Sequence, residues 1–322
     1  MQSSRSVDTP PAEGSQRLTH KVGALSLESF SLLLRDSGAR VKINPFLLHF
    51  RSSLSRVASA FHFLYSDYPL EENGIADFHV SVEPPLSLRR WIYKQAIFLI
   101  DGQIPFEPFP QRLATPLFEW GMNWCASTRA HQHLMIHAAA VDQGGRSLIL
   151  PGHPGAGKST LCAALIHRGW RLLSDEQALI RRDDGRLIPF PRPIALKNKS
   201  IPLIGKFAQD AIMGPTYEDT VKGTLTHLRP PTSAVEGSTL TSAPKWIVFP
   251  TYQAGARTEL TPFPKSRAFL QLAENSFNYH ILGEAGFHTL ACAMEACDCY
   301  KLIYSSLDEV IQMLDELNSA GR

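Results

Sequence analysis

Gly152-His153-Pro154-Gly155-Ala156-Gly157-Lys158-Ser159 is the stretch on which the fold turns. It satisfies G-x-x-x-x-G-K-[ST] in full, a coincidence that average residue frequencies allow in roughly one chain in a hundred of this length. Each residue type has a chemical reason. Gly155 and Gly157 let the backbone turn its N–H groups inward with no Cβ in the way. Those donors, with the N-terminus of a following helix, hold phosphates. Lys158 reaches the β- and γ-phosphates of a nucleoside triphosphate such as ATP, and the Ser159 hydroxyl is suited to ligate Mg²⁺. With Thr160, the whole run from Gly152 makes the expected nucleotide-binding set.

Upstream of the loop, Leu134 to Val141 reads as an apolar strand carrying His137. Gly144-Gly145 makes a tight hairpin turn, and Ser147 to Leu150 returns as a strand that runs into the loop. Downstream, a helix from about Lys158 to Arg168 is followed by Gly169 in the position of a C-terminal cap. Trp170 to Leu173 then forms a strand ending in Ser174-Asp175-Glu176, 17 residues beyond Lys158. In mononucleotide folds an acid at such a strand end meets the metal or the nucleophile. Two adjacent carboxylates can divide the labour, one holding the metal while the other accepts a proton; the plainer alternative is an exposed turn with two solvated acids. Further strands are expected at Ala178 to Arg182, Arg186 to Pro189 and Trp246 to Phe249, and helices at Lys265 to Glu274 and Leu307 to Leu317. A hairpin feeding the phosphate loop departs from strictly alternating strand and helix. The class is therefore α/β with a mixed sheet rather than a wholly parallel one.

Ahead of this, Met1 to His20 is polar, carries Pro10-Pro11 and lacks the apolar stretch of a secretory signal, so a disordered tail over 1–20 is expected. Residues 21–128 read as an α+β region of open role. Strands are expected at Ser29 to Leu34, Phe46 to Phe50, Phe78 to Val82 and Ile97 to Ile100, and helices at Leu54 to Leu64 and Leu117 to Thr128. Residues 129–322 form the expected catalytic domain.

Composition narrows the partners. The 322 residues are 44% apolar and 19% charged with a formal charge of +2, enough for a sizeable core and no general pull toward nucleic acid or an anionic membrane. No apolar run approaches the roughly 18 residues of a membrane helix. Five cysteines without an export signal point to reduced thiols in the cytoplasm. His288, Cys292, Cys297 and Cys299 could supply zinc ligands, but their spacing fits no common knuckle, and buried small residues are the competing reading.

From His137 to Glu176 the order of pieces resembles the catalytic domain of bacterial HPr kinase/phosphorylase: a strand with histidine, a hairpin, the loop, a helix with Leu161 and Leu165, Arg168-Gly169, and a strand into an acidic pair. The phrases Glu119-Trp120-Gly121-Met122-Asn123-Trp124-Cys125, Arg192-Pro193-Ile194-Ala195-Leu196-Lys197-Asn198, Lys222-Gly223-Thr224 and Phe277-Asn278-Tyr279 are similar to the shorter HPr-kinase-related kinase A group. The resemblance implies a P-loop core of the HPr kinase / PEP carboxykinase type, with ATP and Mg²⁺ as cofactors and phosphorylation of serine on a protein or peptide. It also implies Asp175 as general base, Glu176 with Ser159 at the metal, and His137 near the transferred phosphate. Glu176 stands where that family has aspartate.

True HPr kinases carry an acidic metal ligand downstream of the pair, where this chain has Lys197 and Asn198. That departure limits the expectation to the kinase direction and leaves the acceptor open. A cation near the γ-phosphate stabilises developing charge; Arg229 and Lys222 are the candidates, and Lys197 is a third. The alternatives are a small-molecule kinase on the same core and a non-catalytic nucleotide-binding regulator. Assembly into a homo-oligomer is a further expectation from the family.

Overall fold

A computed structural model describes residues 20–86 and 92–320. The expected tail lies outside the described residues except for His20. The front of the chain runs α1 (Leu27–Asp36), β1 (Ala39–Ile43), β2 (Phe46–Arg51), α2 (Ser55–Leu64), β3 (Phe78–Glu83), β4 (Gln95–Ile100), β5 (Phe109–Pro110) and α3 (Ala114–Arg129). The middle runs β6 (His133–Ile136), β7 (Ala138–Gln143), β8 (Arg146–Pro151), α4 (Lys158–Ile166), β9 (Arg171–Ser174), β10 (Ala178–Arg181), β11 (Leu187–Ile188), β12 (Ile194–Lys197), α5 (Ser200–Phe207), β13 (Tyr217–Thr220), β14 (Gly223–Leu228) and α6 (Thr232–Glu236). The chain ends with β15 (Ala243–Tyr252), β16 (Glu259–Pro262), α7 (Lys265–Glu274), α8 (Tyr279–Leu282), α9 (Glu284–Glu295), β17 (Asp298–Tyr304) and α10 (Leu307–Ala320).

The architecture is mixed α/β. A six-stranded sheet in the order β16-β17-β15-β8-β7-β9 is its centre. Strands β17, β15 and β8 run parallel, while β16, β7 and β9 pair antiparallel with their neighbours. The β7–β8 hairpin that the double glycine predicts is present, with Gln143 opposite Arg146. One face of this sheet packs on α4 and α10 through Leu161, Leu165, Val310 and Leu314. The other packs on α7 and α9 through Leu272 and Leu290. Small sheets β11-β10-β6 and β12-β14-β13 flank it. The front of the chain builds a five-stranded sheet, β1 to β5, over α1, α2 and α3.

Two expected strands are corrected. Ser29 to Leu34 lies inside helix α1. Ser26 caps it by accepting from Ser29 N, and Phe30 and Leu34, four residues apart, are the buried pair. Leu134 to Val141 is two strands rather than one. The chain leaves the three-stranded sheet after Ile136 and joins the central sheet at Ala138. His137 is the joint, its backbone N–H donating to Asn275 O at 2.8 Å.

Candidate active site

The phosphate loop spans the gap between β8 and α4. Gly157 takes φ +92°, where a Cβ would overlap the Tyr304 hydroxyl, so conformation and space both demand glycine there. The loop is braced from below: Tyr304 OH donates to Gly157 O at 3.2 Å, and Tyr252 N–H to Ala156 O at 3.2 Å. His153, Pro154 and Gly155 are exposed at the crest, while Lys158 at the start of α4 is buried. Its ammonium donates to the carbonyls of Gly152 and His153. Burial pulls the Lys158 pKa down, opposed by the charges of Glu176 and Asp175.

Strand β9 delivers the acidic pair. Beyond Ser174 the chain turns sharply, Gln177 N–H donating to Ser174 Oγ at 3.0 Å. Asp175 is buried at 7% exposure. Burial, with the neighbouring Glu176 charge, pushes its pKa up to about 6 against the hydrogen bond from Ser159 and the charge of Lys197. Oδ1 of this carboxyl has no hydrogen-bond partner. Glu176 behaves in the opposite sense. Burial alone would raise it, but the hydrogen bond and charge of His137, with Lys197 and Lys222, hold it down at about 2. His137 Nε2 lies 3.3 Å from Glu176 Oε1, and its ring tilts against Phe277. The imidazole is therefore partnered and partly open, not packed into the core.

A buried, unpartnered carboxylate oxygen beside a hydroxyl, with a second carboxylate one residue on, is an oxygen donor set that fits a hard cation such as Mg²⁺. Ser159 and Glu176, the metal candidates, both lie here, and Ser159 engages Asp175 directly.

The cleft in front of the pair is lined by Asp175, Glu176, Gln177, Arg192, Lys197 and Lys222, together with Glu119, Trp120 and Asn123 from α3. Lys222 sits at the β13–β14 turn and reaches the cleft. Arg229 does not line it: its guanidinium pairs with Asp67 at 2.6 Å, tying β14's end to the front region. The contribution of α3 is absent from the expected site. Its sequence signal was the phrase Glu119 to Cys125, in which Glu119 and Asn123, four apart, share one helix face. Among the described residues no three His, Cys, Asp or Glu side chains cluster as a metal site. Cys292 is exposed, Cys297 donates to Ala293 O at 3.1 Å, and His288 pairs with Glu284, so the His288–Cys299 group is dispersed. No described helix is long and apolar enough to cross a membrane.

No family model matches the chain. Fifty-three residues, 16% of this chain, are 42% identical to HPr kinase/phosphorylase of Clostridium botulinum strains Eklund 17B and Alaska E43, covering 17% of that protein. Eighty-six residues, 26% of the chain, are 29% identical to HPr kinase/phosphorylase of Streptococcus thermophilus, covering 28% of it. The matched stretches thus span between about a sixth and somewhat over a quarter of these relatives' length. In these stretches the chain is similar to HPr kinase/phosphorylase.

Proposed function

We propose that the protein is an ATP-dependent kinase of the HPr-kinase type that transfers the γ-phosphate to a serine hydroxyl of a protein or peptide. The observation that carries this reading is the divided acidic pair: Asp175 raised to about 6 and Glu176 lowered to about 2, side by side next to the phosphate loop. A carboxylate poised near 6 is a competent base close to neutral pH. One held ionised suits a structural or metal-binding task. Residues 129–322 carry this machinery, and the phrases shared with the related kinase A group favour that branch. The free thiols of all five cysteines are in keeping with a cytoplasmic setting.

In this reading the loop amides, the α4 N-terminus and Lys158 hold the triphosphate, and Ser159 with Glu176 would hold Mg²⁺. When bound, the ion supplies charge neutralisation to the phosphates. Asp175 takes the proton of the attacking hydroxyl. His137 keeps Glu176 oriented and ionised. Lys197 and Lys222 offset negative charge on the acceptor side, a role that fits a cation standing where HPr kinases have an acid. The test is phosphotransfer in cells and in extracts comparing wild type with Lys158→Ala and Asp175→Asn. Loss of specific phosphopeptides in both variants is expected. Persistence of the same phosphopeptides in either variant refutes the mechanism. ATP binding without turnover on any acceptor points instead to a non-catalytic regulator.

A further inference from the structure

The phosphate loop stands between two different neighbourhoods. It leaves β8, and in the sheet order β16-β17-β15-β8-β7-β9 the acidic pair follows β9 on one side. On the other side β15 and β17 run parallel to β8 and β15, and they end in Tyr252 and Tyr304, which are register partners. Ligands of open α/β sheets bind beyond the carboxyl ends of the parallel strands. Three strand spacings of about 4.8 Å separate β15 from β9, so these two strand ends lie about 14 Å apart. An extended nucleoside triphosphate has a comparable reach. With its γ-phosphate at Asp175, its other end falls at β15 and β17.

Tyr252 is 49% exposed, while Tyr304 beside it is sealed at 1%. The ring centroids are 5.7 Å apart with 73° between the planes. An edge-to-face contact of this kind covers at most one face of a ring, so a face of Tyr252 is free for a planar group. The residue adjoins the loop closely: a Cβ on Gly157 would stand 3.3 Å from Tyr252 Cβ. Its backbone is fixed before any ligand arrives. Tyr252 N–H donates to Ala156 O at 3.2 Å, and Gln253 N–H to Tyr304 O at 2.9 Å. The turn that follows is closed by Ala256 N–H on Gln253 O at 3.1 Å and by Ser305 Oγ–H on Ala256 O at 2.7 Å. An exposed aromatic alone has no functional meaning. One tied by its backbone to a phosphate loop, on the side away from the acids, does.

We propose that Tyr252 is the stacking platform for the adenine of bound ATP, and that the ends of β15 and β17 form the base subsite. The proposal rests on the nucleotide-binding reading of the loop. It adds the residue that tells a nucleotide from a bare polyphosphate. Loop amides and Lys158 hold the phosphates of either, whereas only a planar base gains the open face of Tyr252. Tyr304 is the positioning partner: it touches Tyr252 and donates to Gly157 O at 3.2 Å, so one aromatic pair serves both base and loop.

The test measures Kd of the full chain, with Mg²⁺ present, for ATP and for inorganic tripolyphosphate by calorimetry. Wild type is expected to bind ATP at least about tenfold more tightly than tripolyphosphate. Tyr252→Ala is expected to weaken ATP binding about tenfold and to leave tripolyphosphate within about twofold. Tyr252→Phe, which keeps the ring, is expected to bind ATP within about twofold of wild type. Equal affinity of wild type for ATP and tripolyphosphate overturns the proposal. So does an unchanged Kd for ATP in Tyr252→Ala. An equal loss of both ligands in that variant overturns it too, since Tyr252 would then only brace the loop. Wild type that binds neither ligand is a different result: it removes the nucleotide reading first, and the base subsite with it.

Discussion

Asp175 and Glu176 are neighbours in the chain with opposite electrostatic fates. The unfolded Asp175 carboxyl ionises near 3.8 and the folded one at about 6. Between those values the folded state binds a proton that the unfolded state does not. Stability from this group is therefore greatest at low pH and falls as pH rises through 6, at a cost of about 3 kcal/mol once the carboxylate is ionised. Asp175→Asn removes that charge. It is expected to abolish transfer while raising the melting temperature by several degrees at pH 7.5, with little difference near pH 4; a variant that melts below wild type at pH 7.5 contradicts the argument. The acceptor-limited kcat/KM of the wild type should rise with pH through about 6, since it reports the free enzyme's base. The place of Asp175 was legible from its distance to Lys158 and the strand before it. Its high pKa was not, because burial comes from the surrounding fold and the opposing charge of Lys197 arrives on β12. His137 was legible as a residue near the site, yet its partner Glu176 could be assigned only once the strand was seen to break around it.

At the scale of elements, the β13–β14 hairpin places Lys222, and it is clamped by Asn198 rather than by its own turn chemistry alone. Asn198, at φ +50°, donates from Nδ2 to Lys222 O at 3.2 Å and accepts at Oδ1 from Thr224 N–H at 3.0 Å. A Cβ on Gly223, itself at φ +84°, would overlap the Asn198 amide oxygen. Gly223→Ala is expected to break the clamp and displace Lys222, lowering phosphotransfer about tenfold with nucleotide affinity unchanged. Comparable transfer in Gly223→Ala and wild type would show that Lys222 has no part in it. The Lys222-Gly223-Thr224 and Lys197-Asn198 phrases were both visible in the chain, but their mutual contact spans 24 residues and has no periodic signature. The same lack explains the misread Ser29 to Leu34. A short apolar run fits strand or helix equally until its cap and its buried pair are seen. The loop, the hairpin before it and the helix after it were legible because glycine, period and motif agreed there.

For the whole molecule, the front region and the catalytic core meet in a buried ionic network. Glu119 of α3 accepts from Tyr65 OH at 2.7 Å and pairs with the Arg192 guanidinium, both partners nearly sealed from solvent. Burial would weaken the Arg192 cation; Glu119 and Tyr65 more than offset it. Around this pair, Tyr68 OH donates to Pro191 O at 2.8 Å, and Phe190 packs edge-on against Phe46. The expected boundary near residue 129 thus falls between parts that share a core: Leu179 and Phe190 belong to the same apolar cluster as Phe50 and Phe61. Removing Glu119 alone leaves a buried charge without its counter-ion, a change that costs about 3–5 kcal/mol. Glu119→Ala is therefore expected to lose that much in denaturant unfolding. The double variant Glu119→Leu, Arg192→Met, which buries matched apolar volume instead, is expected to recover most of it. A loss below about 1 kcal/mol in Glu119→Ala would mean that the pair does not hold the two parts together.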